Sequence, residues 1–341
     1  MNPAHWPREH PEANRLLHVS PSSGRISDRR VEHLPELLRS GDLLVVNDAA
    51  TLPSSLHGLT VAGGPIELRL LAREEEGTWT AVLFGAGDWR MRTEDRPAPP
   101  LLTVGTQLVL GTLKACVVEV LPPSPRLLRV AFEAQGAELW AGLYRSGKPV
   151  QYSYLSGPLA LWHIQTAYAA RPWAAEAPSA GLPLTWALLL ELRRRGVRFA
   201  SLTHAAGLSS TGDAALDAAL PRPERFELPA STVEAIHATR ASGGRVVAVG
   251  TTVVRALEGR AAQAGGRLTA GEGVTDLLMG PGFIPKVVSG LLTGVHEPAT
   301  SHYMLLQAFA PLALLREAAQ IAEKRGYLGH EFGDSCLILD A

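Results

Sequence analysis

The chain has 341 residues, 46% of them apolar, and its 32 basic and 33 acidic residues leave a net charge of −1 with a pI near 6.8. This balance excludes a generic polyanion binder, so any nucleic-acid contact must use a local patch, and the length suits about two domains. Two cysteines, Cys116 and Cys336, exclude a four-cysteine zinc site and a disulfide framework.

Residues 1–14 are polar and proline-bearing and read as a loose arm, without the apolar stretch of a signal peptide. A short strand is expected at 16–19 and a short helix at 31–38, ending at Ser40-Gly41. Residues 42–46, D-L-L-V-V, read as a buried strand running into Asn47-Asp48. Such a pair either forms a turn or presents polar groups at the lip of a sheet, where α/β sites lie. From about 56 to 154 short β-like runs dominate, at 66–71, 78–84, 107–110, 115–121 and 127–132. Glycine and proline clusters punctuate them, which suits a small barrel or sandwich. Beyond it, helices are expected at 184–195, 230–242, 301–309 and 312–325, and strands at 197–203, 246–249 and 335–339. The alternation predicts an α/β class, a discontinuous α/β domain (1–56 and 155–341) interrupted by a β-barrel (57–154). No run of about 18 apolar residues marks a membrane span, and with no disulfide framework a reducing, cytoplasmic compartment is the default expectation.

The stretch at 243–258, G-G-R-V-V-A-V-G-T-T-V-V-R-A-L-E, reads as strand, turn and helix. Gly250 allows a close backbone approach, and Thr251, Thr252 and the first helical N–H groups can bind a polar or anionic ligand. The bland alternative is an ordinary capped helix start. Arg255 either faces a ligand or pairs with Glu258, three residues on. The loop A-P-S-A-G-L at 177–182 either turns the chain or, shaped by Pro178, sets backbone N–H groups of Ser179, Ala180, Gly181 and their neighbours against a ligand. Gln165 and Thr166 have no evident packing reason to be polar.

Taken together these stretches are similar to one family. L-P-E-L-L-R-S-G-D-L-L-V-V-N-D (34–48), Q-T-A-Y-A (165–169), A-P-S-A-G-L-P-L-T (177–185), the 243–258 run, T-D-L-L-M-G-P-G-F (275–283), H-E-P-A-T-S-H-Y-M-L (296–305) and F-G-D-S-C-L-I (332–338) occur in the family's order. On them the chain resembles the S-adenosylmethionine:tRNA ribosyltransferase-isomerase family of queuosine biosynthesis. The resemblance implies a discontinuous α/β domain with an inserted barrel. It also implies that S-adenosylmethionine, a co-substrate, donates its ribosyl part to 7-aminomethyl-7-deazaguanine in a tRNA. Adenine and methionine leave, and the sugar becomes an epoxycyclopentane. That chemistry asks for a base to take a proton from the ribose 5′ carbon and an acid to assist adenine. No metal is required.

The family match carries His204, His296 and Asp48 as expected catalytic residues. It carries Asn47, Gln165, Thr166, Pro178, Ser179, Ala180, Gly181, Gly250, Thr251, Thr252, Arg255 and Asp334 as expected substrate-binding residues. Departures accompany the matches. Residues 49–56 read A-A-T-L-P-S-S-L, with Ala50 and Ser55 where the family has arginines, and Pro183 stands for a histidine. Trp162, His163 and Ile164 replace charge and a tyrosine. Lost arginines remove phosphate clamps, which leaves the further reading of a relative acting on a small molecule. The family's histidines missing from L-P-R-P-E-R-F-E-L (220–228) leave that of a binding protein without turnover. The expected partners are S-adenosylmethionine and tRNA, with no membrane, and a monomer is expected.

Overall fold

The computed structural model describes residues 1–74, 76–298 and 300–340. Leu43–Asn47 forms the strand that its apolar run predicts, with all five residues buried. A run apolar on both faces belongs in the middle of a sheet covered on both sides. The strand lies between Arg198–His204 and Val246–Val249 and runs parallel to both. The full sheet has nine strands. From edge to edge these are Gly271–Thr275, Glu224–Leu228, Arg198–His204, Leu43–Asn47, Val246–Val249, Gly290–Gly294, Ser335–Ile338, Arg15–Ser20 and Arg25–Arg30. The four strands from Arg198–His204 to Gly290–Gly294 are parallel, and antiparallel pairings carry the sheet to both edges, apart from the parallel pair of Ser335–Ile338 with Arg15–Ser20.

Alternation along the central strands divides the core in two. Leu43, Val45, Val246 and Ala248 pack with Val253, Val254 and Leu257 of the helix Thr251–Gln263 and with the helix Leu312–Lys324. Leu44, Val46, Val247 and Val249 pack with Leu188, Leu189 and Leu192 of the helix Trp186–Arg194. Burying each Leu or Val supplies about 1.5–3 kcal/mol, so the central strands anchor everything that hangs on their ends.

The inserted unit is a closed barrel of six strands, Ser55–Thr60, Pro65–Arg73, Trp79–Phe84, Gln107–Leu110, Leu113–Val120 and Leu127–Phe132. Leu56, Leu68, Leu70, Trp79, Leu83 and Leu108 fill it. Its entry and exit are tied. The Ser55 N–H donates to the Lys148 carbonyl at 2.9 Å, and the Lys148 N–H returns the bond at 2.9 Å.

Four sheet strands were not legible from periodicity, namely Arg25–Arg30, Glu224–Leu228, Gly271–Thr275 and Gly290–Gly294. The first is an edge strand of R-I-S-D-R-R, with no apolar face to advertise it. The helix Gly136–Ser146, inside the stretch expected to be all β, packs Leu139 and Leu143 on the barrel core. The expected helix at 301–309 is shorter, Ser301–Leu306. Among the described residues no helix is long and apolar enough to cross a membrane.

Candidate active site

Parallel strands deliver their carboxyl ends to one side of a sheet, and ligands bind in the crevice there. Here that edge collects Asn47 and Asp48, His204, Gly250 to Thr252 and His296. Gly250 sits at φ +93°, a conformation that glycine alone adopts without strain, with Ala180 Cβ 3.6 Å from where its own Cβ would be. Gly181 is equally constrained, because a Cβ there would lie 2.0 Å from the Tyr168 hydroxyl.

His204 closes its strand and is fully buried, and neither ring nitrogen has a hydrogen-bond partner among the described residues. Its Nε2 lies 3.5 Å from Glu224 Oε2. That oxygen also accepts from Arg255 Nη1, while Glu224 Oε1 accepts from the Gly207 N–H at 2.8 Å. Burial pushes the imidazole down to about 4, against the pull of Glu224 and with the help of Arg255. The ring is therefore neutral at pH 7, with both nitrogens uncommitted among the described residues. Next in the cluster, His296 and His302 stack with centroids 5.0 Å apart and planes 10° apart. Thr293 Oγ1 shares a 2.8 Å hydrogen bond with His296 Nε2. Burial, with His302 adding, pushes His296 down to about 3, so it too is neutral near pH 7.

A second carboxyl shares the loop that follows His204. Glu176 Oε1 accepts from the Ser209 N–H at 3.0 Å and from the Tyr152 hydroxyl. Gly207 and Ser209, two residues apart, thus bind one carboxyl each, Glu224 and Glu176. Burial, with the neighbouring Glu331 carboxylate adding, pushes Glu176 up to about 7, although its hydrogen bonds pull the other way. The Tyr154 hydroxyl, whose ring stacks on Tyr152 at 6.1 Å, donates to Glu331.

Several residues expected at the site have other work. Asn47 Nδ2 donates to the His204 carbonyl at 3.0 Å, and its Oδ1 accepts from the His204 N–H at 2.9 Å. It extends the strand pairing and holds His204 in register. Asp48, expected to be catalytic, accepts from Thr203 Oγ1 at 2.6 Å and Ser201 Oγ at 2.8 Å. Gln165 grips the Thr51 backbone in both directions, each bond 2.9 Å long. Asp334, expected to hold a substrate hydroxyl, accepts instead from Arg8, the Arg15 N–H and the Leu328 N–H, at 2.8–3.0 Å. Arg255 pairs with Glu224 and not with Glu258. Glu258 accepts the N–H groups of Lys286, Val287 and Val288, each at 2.9 Å. Thr166 is buried against the Ser179-Ala180-Gly181 turn, and its hydroxyl has no partner among the described residues. Thr251 and Thr252 open their helix behind Gly250. Pro178 precedes the turn Ser179–Gly181. Sequence reasoning missed Glu224, His302 and Glu176. Only Glu176 carried a local signal, a lone charge in W-A-A-E-A-P. Among the described residues no three His, Cys, Asp or Glu side chains group as metal ligands.

An α/β sheet with a barrel inserted after its first central strand, and a histidine–carboxylate–arginine cluster at the strand ends, is the framework into which known relatives fall. A family model described as queuosine biosynthesis protein matches residues 2–338, and the chain belongs to that family. A protein of Moorella thermoacetica named S-adenosylmethionine:tRNA ribosyltransferase-isomerase is 35% identical, over 98% of this chain and 96% of its own length. A protein of the same name from Thermus thermophilus is 37% identical, over 92% and 89%. Among solved structures, an S-adenosylmethionine tRNA ribosyltransferase of Thermotoga maritima covers 99% of this chain and is itself covered over 96%, with 28% identity and a TM-score of 0.53.

Proposed function

We propose that this chain transfers and isomerises the ribosyl moiety of S-adenosylmethionine onto 7-aminomethyl-7-deazaguanine in tRNA, giving epoxyqueuosine and releasing adenine and methionine. The observation that carries the reading is a neutral, fully buried imidazole with both ring nitrogens uncommitted, His204, whose following loop also binds Glu176, a carboxyl that burial raises to about 7, in a chain whose relatives bear that name. The two groups are a base and an acid held apart by environment. His204 takes the proton from the ribose 5′ carbon, which the neighbouring sulfonium acidifies. Glu224, clamped by Arg255 and the Gly207 N–H, orients the ring. Glu176 gives a proton to the departing adenine. Gly250, Thr251, Thr252 and the turn Ser179–Gly181 receive the co-substrate. His296, held by Thr293 and stacked on His302, is the second neutral imidazole at the strand ends. The reaction is cytoplasmic, the chain acts as a monomer, and no metal takes part.

The test is a product assay by mass spectrometry, with S-adenosylmethionine and with or without tRNA bearing 7-aminomethyl-7-deazaguanine. Adenine, methionine and the epoxide-bearing nucleoside are expected only with that tRNA. Adenine and methionine without it would instead support the small-molecule relative.

Glu176 also sets a pH dependence. Its folded-state value is raised above the ordinary carboxyl value, so the native state binds the extra proton between pH 4.5 and about 7. Stability from this group is full below pH 4.5 and is lost as pH rises through 7. Glu176→Gln is expected to raise the stability at pH 8 by on the order of 1–3 kcal/mol, and to leave it near wild type at pH 5. It should also remove the alkaline fall in kcat near pH 7. Thermal melts and a pH–rate profile check both, and an unaltered alkaline limb removes Glu176 as the acid.

A further inference from the structure

We propose that Trp162, His163 and Trp6 form a stacking platform for an unpaired tRNA base beside the reacting nucleotide. This rests on the tRNA reaction proposed above. Trp162 is 77% exposed and belongs to none of the hydrophobic clusters of the described residues, so core packing does not account for it. It rides on the turn Leu161–Ile164, which the Ala160 N–H closes by donating to His163 Nδ1 at 3.0 Å. The His163 ring stands edge-on between two indoles, 5.6 Å from Trp162 and 5.0 Å from Trp6. Trp6 is itself 38% exposed and is backed by Gly157, where a Cβ would come within 3.3 Å of its ring.

The base of this platform is rigid. Leu159 and Ile164 are buried in a cluster that Leu161 and the barrel residue Trp89 also join. Arg90 lays its guanidinium 4.8 Å from the Trp89 ring, pairs with Asp88 at 2.5 Å and keeps two thirds of its side chain in solvent. Exposed indoles suit an unstacked nucleotide, because every base has a π face. Position supports the assignment. The residues after the turn are Gln165, fixed to Thr51, and Thr166, which lies against the turn Ser179–Gly181. The platform therefore stands one short rigid segment from the strand-end cleft. With a net charge of −1, the chain has no general attraction for RNA and needs local devices of this kind.

The test measures binding of a tRNA anticodon stem-loop to the full chain, followed by anisotropy and by tryptophan fluorescence. Trp162→Ala is expected to raise Kd about 10-fold or more, the scale of one lost base–aromatic stack. Trp162→Phe should keep most of the affinity, and the KM for S-adenosylmethionine should not move. Wild-type fluorescence should be quenched by RNA, with a smaller change in Trp162→Ala. Equal RNA affinity of wild type and Trp162→Ala would overturn the platform. So would a wild-type dimer that Trp162→Ala dissociates without change in RNA affinity, since a second copy would then occupy the surface. If the stem-loop binds through Trp162 but modified tRNA yields no product, the platform stands and the reaction proposed above falls.

Discussion

His204→Ala should lower kcat about 100-fold or more, the ordinary worth of a positioned general base. The expectation follows from the state of the ring. It is fully buried, neither nitrogen is spent on a structural hydrogen bond among the described residues, and its value of about 4 keeps it unprotonated through the neutral range. A structural histidine in a core normally satisfies at least one nitrogen. Leaving both free is costly unless a ligand or a proton uses them. Glu224, 3.5 Å away and already tied to Arg255, stabilises the imidazolium formed once the proton arrives. His204→Gln, which keeps a hydrogen-bonding side chain in the space, separates chemistry from packing. It should fold with a melting temperature close to wild type and show the same loss of turnover. Turnover at the wild-type rate in either variant would remove His204 from the mechanism.

Glu258→Ala is expected to cost about 3–5 kcal/mol of folding stability. The carboxylate is 1% exposed and receives three consecutive backbone N–H groups, from Lys286 to Val288. Removing it leaves two buried donors, of Val287 and Val288, and a part-buried one, of Lys286, without acceptors, at about 1–3 kcal/mol for each buried donor before relaxation and water entry. Against a typical total of about 5–15 kcal/mol, this is a large fraction. Denaturant unfolding measures it directly, and a loss below about 1 kcal/mol would mean that water reaches these amides. The same loop feeds the strand Gly290–Gly294 and hence His296, so Glu258→Gln, with one acceptor oxygen left, should fall between the two in both stability and activity.

The frame of the molecule was legible in its residues. Val246 to Glu258 reads as strand, turn and helix because a β-branched run meets a glycine, and Gly250 indeed takes a positive φ. Leu43 to Val46 reads as a central strand because it is apolar on both faces. The barrel is announced by short β runs between glycine and proline clusters. Side-chain roles were harder. Asn47 and Asp48 are legible as polar groups at a strand end, but sequence cannot tell whether they face outward or inward. Here both turn to the neighbouring strand, Asn47 to the His204 backbone and Asp48 to two hydroxyls. Arg255 and Glu258 look like a helical pair, yet each finds a partner from a different part of the chain. Glu224 lies 31 residues before Arg255. That pairing depends on how strands are ordered in the sheet, and no local spacing encodes the order.

The order of the sheet also sets a timetable. Ser335–Ile338 is not an edge strand; it stands between Gly290–Gly294 and Arg15–Ser20. The hairpin of Arg15–Ser20 and Arg25–Arg30 reaches the rest of the sheet only through it. During synthesis one of the first strands made must therefore wait for one of the last, its apolar Leu16, Leu17 and Val19 without their partner until then. The barrel, with its ends tied at Ser55 and Lys148, can close long before. Synthesis thus yields a finished insert while the sheet is still in two parts. The interval before they join is when a chaperone or a protease has most to hold.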